Sequence, residues 1–142
     1  MKIEQSLVLI KPDALEQKKV GQIITRLEEK GLKLQAMKMI WLDEELVAKH
    51  YAEHKEKEFY SRLVDYITER PVIAMVVAGK NALQVVRNLS GETDPLAAAP
   101  GTIRGDFGLD LETGNLVHAS DSAASAEREI DLFFTPDEIY TY

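Results

Sequence analysis

The chain has 142 residues, of which 45% are hydrophobic and 29% are charged, so it is long enough to bury the core of one globular domain without disulfide bonds. Its formal net charge of -7 disfavours binding to a nucleic-acid backbone, which requires a basic surface. The chain contains no cysteine, which excludes disulfides, thiolate metal sites and cysteine nucleophiles.

Two segments at the start of the chain predict a strand followed by a helix. Residues 5–10 (QSLVLI) form a buried strand that ends before Pro12, because proline lacks an amide donor and disfavours helix at the residue before it. Residues 21–30 then place apolar side chains at helical spacing, and Gly31 is suited to a C-terminal cap. Residues 33–41 alternate as in a strand, but the apolar phase shifts within the segment, so its register stays open.

The middle of the chain predicts two helices followed by the most apolar strand. Asp43 is suited to cap a helix that runs through residues 46–51, and a second helix is predicted over residues 58–68. Residues 72–78 (VIAMVVA) are rich in β-branched side chains and predict a buried strand. Asn81 is then suited to cap a further helix.

The last third of the chain predicts a long loop, a short strand and a final helix. Residues 90–114 hold five of the eight glycines and two of the five prolines, and a loop of that length in a compact domain is usually either functional or disordered. Residues 116–119 form a short strand, and residues 120–122 (SDS) can cap the helix that follows. This order of elements predicts an α+β sandwich in which helices cover a mainly antiparallel sheet, as one domain over residues 1–142.

The sequence shows neither a membrane span nor a secretion signal. No apolar run approaches the roughly 20 residues that a membrane helix needs. The N-terminus, MKIEQSLVLIKPD, lacks the long apolar region and small-residue cleavage site of a signal peptide. We therefore expect a cytoplasmic protein with no membrane partner.

The strand-to-helix junction NLVHASDS (residues 115–122) is the main candidate for a chemical site. His118 lies beside a helix N-terminus, where free N–H groups and serine hydroxyls favour an anion. Either Glu127 or Glu129 can return along the helix to the imidazole and hold its tautomer. A neutral imidazole oriented in this way is a competent nucleophile toward a phosphoryl group.

Phosphoryl transfer also requires cations and donors around the phosphate oxygens. The sequence lacks both G-x-x-x-x-G-K-[ST] and G-x-G-x-x-G, so a nucleotide would have to be bound by another scheme. Polar residues in turns and at element ends can supply the charge: the cations Lys11, Arg87 and Arg104, and the neutral donors Thr93 and Asn115.

A second pair of histidines has the spacing of metal ligands. His50 and His54 stand four residues apart, but the H-E-x-x-H motif and a third ligand at a suitable spacing are absent from the sequence. Charged residues crowd the segment 53–58. We therefore predict an exposed, charge-rich helix end here rather than a metal site.

Four segments of the chain resemble, in the same order, the nucleoside diphosphate kinases. They are LVLIKPDAL near the N-terminus, HYAEHKEKEFY in the middle, GETDPLAAAPGTIRGDF in the long loop, and NLVHASDS at the junction. The resemblance covers nearly the whole chain, and the chain is identified as a member of that family. It implies a ferredoxin-like βαββαβ sandwich, in which helices cover an antiparallel four-stranded sheet.

The same resemblance implies an activity and assigns roles. The terminal phosphoryl group of ATP or another nucleoside triphosphate would pass to a nucleoside diphosphate by a ping-pong reaction, through a phosphohistidine at His118 formed by attack of Nδ1. Glu129 would hold the other ring nitrogen, and Phe59 would stack on the base with little base specificity. The residues that match the family's phosphate and sugar contacts are Lys11, Tyr51, Arg87, Thr93, Arg104 and Asn115.

The resemblance also implies a cofactor and an assembly. Mg²⁺ would bridge phosphate oxygens without a direct protein ligand, and Asp121 would lie in its outer shell. The protein would form a tetramer or a hexamer built from dimers, with contributions from the loop around Pro95 and from residues 133–142. On the base side the sequence departs from the family, since Glu58 stands where proline is frequent. The resemblance does not decide whether Leu111 forms the wall of the base pocket.

Overall fold

A computed structural model describes residues 2–142 and contains a single four-stranded sheet. The strands are β1 (Ile3–Ile10), β2 (Lys33–Ile40), β3 (Val72–Lys80) and β4 (Val117–Ala119). Their order in the sheet is β2-β3-β1-β4, and every neighbouring pair is antiparallel. The ferredoxin-like α+β fold implied by the sequence is therefore confirmed.

Two helices lie between each pair of strands that are consecutive in the chain, and the last helix follows β4. They are α1 (Pro12–Glu16), α2 (Val20–Glu29), α3 (Glu44–His50), α4 (Tyr60–Thr68), α5 (Ala82–Ser90), α6 (Ile103–Phe107) and α7 (Ala123–Phe133), with 3₁₀ turns at Ala52–His54 and Pro136–Glu138. Within residues 2–142, no helix combines the length and the apolar character needed to cross a membrane.

Helices cover both faces of the sheet because its central strands are apolar on both sides. On β1, Val8 and Ile10 pack with side chains of α2 and α5 in one core. Leu7 and Leu9 pack with side chains of α3, α4 and α7 in the other. All four are buried. A strand covered on both faces carries consecutive apolar residues rather than alternating ones, as the run in β3 also does.

A β-bulge in β2 explains why the apolar phase of this strand shifts. The pairing of β2 with β3 skips Gln35, which is the extra residue of the bulge. Gln35 is buried, and its Oε1 accepts a hydrogen bond of 2.7 Å from Gln5 Nε2. Beyond the bulge, Met37 and Met39 are 54% and 64% exposed on the outer strand of the sheet.

The structure confirms two predicted helix caps and adds one helix inside the long loop. Asp43 Oδ1 accepts from Leu46 N at 2.8 Å at the start of α3, and Ser122 Oγ accepts from Ser125 N at 3.1 Å at the start of α7. Within the segment 90–114, Thr102 caps the five-residue helix α6.

Two helix starts differ from the sequence prediction. Pro12 begins α1, because a proline at the first helical position loses no hydrogen bond there. Asn81 precedes α5 as expected, but it has a left-handed conformation (φ 55°) and makes no side-chain cap. Instead, Glu4 Oε1 accepts a hydrogen bond of 3.2 Å from Leu83 N. The start of α5 is therefore held from β1.

Candidate active site

A cleft of about 310 Å³ opens at the end of β4, between α3, α5, α7 and the long loop. Its lining includes nine of the residues singled out in the sequence: Lys11, Tyr51, Arg87, Thr93, Arg104, Asn115, His118, Asp121 and Glu129. Phe59 and Leu111 lie outside this lining, and both are exposed. The structure thus brings together the residues expected to contact phosphate and sugar. It leaves Phe59 and Leu111, which were expected to contact the base, at the surface.

His118 is held from one side by a buried carboxylate. It lies on β4 opposite Leu9 of β1, and its Nε2 is 3.0 Å from Glu129 Oε1. Glu129 is only 4% exposed, and the same oxygen accepts a hydrogen bond of 2.8 Å from Ser120 Oγ. Glu127, by contrast, is exposed and lines a different cleft. The hydrogen bonds of residues 2–142 thus engage Nε2 and leave Nδ1 without a partner.

His50 contradicts the prediction of an exposed helix end, since it is only 3% exposed. Its ring packs edge-to-face on His118, with centroids 4.8 Å apart, and on Phe133, with centroids 5.3 Å apart. Within residues 2–142, neither ring nitrogen has a hydrogen-bond partner. Burial lowers the pKa of His50 to about 2, so the ring is neutral. The sequence does contain a signal for the burial of His50. This residue follows Val47 by three positions, so both lie on the same buried face of α3.

Two imidazoles and a carboxylate lie close enough to be considered as metal ligands. One candidate atom from each of His50, His118 and Glu129 lies within 4.8 Å of the others. Mg²⁺ prefers oxygen ligands, whereas a set of two nitrogens and one oxygen suits transition metals. The Glu129 oxygen is also already bonded to His118 and Ser120. This group therefore does not fit Mg²⁺.

A second part of the cleft wall carries a lysine that is hydrogen-bonded to an asparagine. Lys11 Nζ donates to Asn115 Oδ1 at 2.8 Å, and Asn115 Nδ2 donates to Thr93 O at 3.1 Å. Burial, followed by the charge of Arg104, lowers the pKa of Lys11 to about 8. An anionic ligand would relieve both effects, so this wall favours a phosphate.

Arg104 is a structural residue as well as a charge in the cleft. Its guanidinium donates to three backbone carbonyls: Asn115 O at 3.0 Å, Gly91 O at 2.9 Å and Val117 O at 2.6 Å. Burial, and then the charge of Arg87, lowers its pKa to about 10. A guanidinium has five N–H groups, so two donors of this cleft-lining residue have no partner among residues 2–142.

Tyr51 and Asp121 complete the lining with two different kinds of oxygen. Tyr51 is buried, burial raises the pKa of its hydroxyl, and that hydroxyl has no hydrogen-bond partner within residues 2–142. Asp121 is exposed, and a hydrogen bond from Ser125 lowers the pKa of its carboxyl group. The cleft therefore offers the unpaired hydroxyl group of Tyr51 and the exposed carboxylate of Asp121 in addition to its cations.

For the nucleotide substrate that the family resemblance implies, we expect the rate of capture to fall as the pH rises above about 8, because Lys11 then loses its proton and its charge. The loss should appear in kcat/KM, which reports the free enzyme, and not in kcat, because bound phosphate stabilises the lysine cation. Lys11→Arg should move the alkaline fall to higher pH, since arginine stays charged. A pH profile of kcat/KM that is the same in both proteins would contradict this role.

Comparisons with known proteins agree over nearly the whole chain. Residues 4–139 match the family described as nucleoside diphosphate kinase. The nucleoside diphosphate kinase of Pyrococcus furiosus is 58% identical over 142 residues, which cover 99% of this chain and 88% of the relative. The nucleoside diphosphate kinase of Archaeoglobus fulgidus is 61% identical over 140 residues, which cover 99% of this chain and 92% of the relative.

Two solved structures share the fold. A halophilic nucleoside diphosphate kinase from Halobacterium salinarum, in complex with CDP, matches with a TM-score of 0.96 at 49% identity, over 99% of this chain and 93% of that one. A transition state mimic of the enzyme from Borrelia burgdorferi, with bound vanadate and ADP, matches with a TM-score of 0.91 at 36% identity, over 99% of this chain and 92% of that one. The similarity therefore extends over the entire fold.

Proposed function

Because the chain belongs to the nucleoside diphosphate kinase family, it transfers the terminal phosphoryl group of a nucleoside triphosphate to a nucleoside diphosphate by a ping-pong mechanism, and we propose that His118 carries this group between the two nucleotides. The observation that carries the proposal is the 3.0 Å contact between His118 Nε2 and the buried Glu129. This contact supports the tautomer that carries its proton on Nε2, and we propose Nδ1 as the nucleophile.

The first half-reaction forms the bond between His118 Nδ1 and the terminal phosphorus. The bond from phosphorus to the bridging oxygen breaks, and its electron pair leaves with the nucleoside diphosphate. Glu129 stabilises the positive charge that develops on the ring. In the second half-reaction a terminal oxygen of the acceptor diphosphate attacks the phosphorus, and the electron pair of the nitrogen–phosphorus bond returns to Nδ1. The two steps are the same displacement in opposite directions.

The cations of the cleft stabilise the phosphoryl group in transit. The transition state spreads negative charge over the equatorial oxygens, so catalysis depends on position and charge. We assign the phosphate contacts to Lys11, Arg87, Arg104, Thr93 and the hydroxyl of Tyr51, all of which line the cleft. We assign the ribose hydroxyl region to Lys11 and Asn115, which are already joined by a hydrogen bond of 2.8 Å.

We propose that Phe59 stacks on the base at the mouth of the cleft. Its ring is 45% exposed, and its centroid lies 5.6 Å from that of His54, which lines the cleft. An exposed ring offers a stacking face and no donor or acceptor, so every base can use it. The related proteins from Halobacterium salinarum and Borrelia burgdorferi hold CDP and ADP, which supports low base specificity.

We propose Mg²⁺ as the cofactor, held mainly by phosphate oxygens and water. Asp121 is the residue that fits such an ion, because it presents a carboxylate to the cleft as a hydrogen-bond acceptor for a metal-bound water. When bound, the ion would neutralise part of the phosphate charge. The displacement itself is carried by His118 and the cations of the chain.

We also propose that the protein is a cytoplasmic homo-oligomer, a tetramer or a hexamer built from dimers. Its substrates, the nucleoside tri- and diphosphates, are abundant in the cytoplasm. Met37, Met39 and Trp41 expose apolar surface on and just after the outer strand β2, and such surface is typical of contacts between protein chains. Near the C-terminus, Tyr140 N donates a hydrogen bond of 2.8 Å to Gln35 O of the same strand.

Incubation with ATP labelled in its terminal phosphate tests the proposed carrier. We expect a phosphoprotein that is labile in acid and stable in alkali, as a phosphohistidine is, and that loses its label when any nucleoside diphosphate is added. An enzyme-coupled assay of the exchange would then give its rate. Nucleotide binding without labelling or exchange would instead indicate a binding protein that has lost turnover.

A further inference from the structure

The turn that precedes His118 has an unusual backbone. Gly114 has a φ of 121°, and Leu116, which is not a glycine, has a φ of 71°. The side chain of Leu116 is completely buried. A left-handed conformation is costly for a branched, bulky residue, so it persists only where neighbouring groups hold it. The turn of residues 114–116 therefore needs an anchor.

Asp13 of α1 provides that anchor. Its Oδ2 accepts a hydrogen bond of 2.9 Å from Leu116 N, between residues 103 positions apart in the chain. It also packs against the turn, because a Cβ added at Gly114 would lie 2.6 Å from the Asp13 carboxyl carbon. Asp13 itself is only 8% exposed. From the other side, Lys11 N donates to Leu116 O at 2.8 Å.

The simplest alternative is that Asp13 only stabilises its own helix. A carboxylate in the first turn of a helix does interact favourably with the helix dipole. However, α1 has only five residues, and the side-chain hydrogen bond of Asp13 goes to the distant turn. Within residues 2–142, its second oxygen, Oδ1, has no hydrogen-bond partner. The contacts therefore point to the turn rather than to the helix.

The residue between the two anchored positions is Asn115. Its side chain accepts from Lys11 Nζ at 2.8 Å, and its carbonyl accepts from Arg104 Nε at 3.0 Å. Asp13 also lies near Lys11 and Arg104. Its negative charge raises the pKa of both cations and so opposes the effect of burial, which lowers them. A displacement of the turn would move Asn115 away from both partners at once.

We propose that Asp13 is a positioning residue for nucleotide binding, which anchors the turn of residues 114–116 so that Asn115 and Lys11 are presented to the ribose hydroxyl groups of the substrate. This inference rests on the sugar contacts of the proposed function. It makes a prediction that a purely structural role does not make: the loss caused by removing Asp13 must depend on whether the substrate carries ribose hydroxyls.

The test compares two acceptors, an ordinary nucleoside diphosphate and its 2′,3′-dideoxy analogue. For Asp13→Ala we expect kcat/KM to fall about 100-fold with the ordinary acceptor and only about 10-fold with the analogue, mainly through KM. The smaller loss remains because Lys11, which the charge of Asp13 keeps protonated, also contacts the phosphates. Asp13→Asn should recover to within about 5-fold of wild type with both acceptors, because its amide oxygen still accepts from Leu116 N. Asp65→Ala, which removes an exposed aspartate on α4, is the matched control and should behave as wild type.

Gly114→Ala provides a second route if Asp13→Ala does not fold. Its methyl group would push against the Asp13 carboxyl group at 2.6 Å, so we expect the same selective loss with the hydroxyl-bearing acceptor. Equal losses with both acceptors in the folded variants would overturn the inference, as would wild-type kinetics in Asp13→Ala.

Failure of the proposed function would look different. If the wild-type protein is labelled by ATP but uses the two acceptors equally well, the assigned sugar contacts are wrong. The inference about Asp13 is then wrong as well. A wild-type protein that discriminates, while folded Asp13 and Gly114 variants lose both activities equally, would overturn the role of Asp13 alone.

Discussion

Replacement of His118 by alanine is expected to abolish both the phosphoenzyme and the exchange of phosphoryl groups, with a fall in kcat of at least about 10⁴-fold. The reason is the geometry at Glu129: the imidazole is the group that the buried carboxylate orients toward the cleft, with Nδ1 unengaged. Alanine removes the proposed nucleophile, and the remaining cations cannot transfer a phosphoryl group between nucleotides that occupy the site in turn.

The matched control is His54→Ala, since the chain contains only three histidines and His54 also lines the cleft. We expect this variant to keep the acid-labile label, because the carrier remains in place. Labelling with radioactive ATP and the coupled assay should be run on both variants, with circular dichroism as the check on folding. A folded His118→Ala protein that still takes up one equivalent of label would place the carrier on another residue.

Replacement of Arg104 by lysine is expected to weaken both stability and activity, although the charge is kept. The guanidinium binds three backbone carbonyls, whereas a single ammonium cannot reach all three. Because each buried acceptor left without a donor costs about 1–3 kcal/mol, we expect the free energy of unfolding to fall by about 3 kcal/mol. The melting temperature should then fall by about 10 °C, and kcat/KM should fall with it.

Arg87→Lys is the matched control for this second prediction. Arg87 lines the same cleft but is exposed on α5, so its replacement should lower kcat/KM without a measurable change in melting temperature. Both variants should be melted at the same protein concentration, because assembly makes the transition depend on concentration. If Arg104→Lys melted at the wild-type temperature, the three contacts with backbone carbonyls would not contribute to the stability of the fold.

The fold was predictable where the local signal and the final environment agree. The buried runs of β1 and β3 are apolar at consecutive positions because both of their faces are covered, and the caps at Asp43 and Ser122 act within three residues of themselves. The bulge at Gln35 was not predictable in the same way. Its position is defined by the pairing with β3, which lies more than 30 residues away in the chain.

The site was predictable in part from the sequence. The spacing of residues along a helix also indicates which side chains are buried, and this applies to two residues of the site. Residue reasoning alone left Glu127 and Glu129 as equal candidates, and the family resemblance selected Glu129. Yet Glu129 shares the buried stripe of α7 with Ala126 and Phe133, which are three residues before it and four after it. The burial of His50 followed from the same spacing on α3, which the many charges nearby obscured.

The contacts of Asp13 could not be read from the sequence at all. Its partner, Leu116, is 103 positions away, and nothing in the local composition of either segment indicates that they meet. Only the pairing of β1 with β4 brings the segment after β1 beside the segment before β4. Roles that depend on such long-range contacts need the folded structure.

The edge-to-face contact between His50 and His118 makes His50 an internal spectroscopic probe. With ring centroids 4.8 Å apart, the proton resonances of His50 sense the ring current and the charge of its neighbour. Burial lowers the pKa of His50 to about 2, so its resonances carry no contribution from its own titration near neutral pH. Nuclear magnetic resonance of this one ring would therefore follow the phosphorylation that we propose for His118, without any radioactive label.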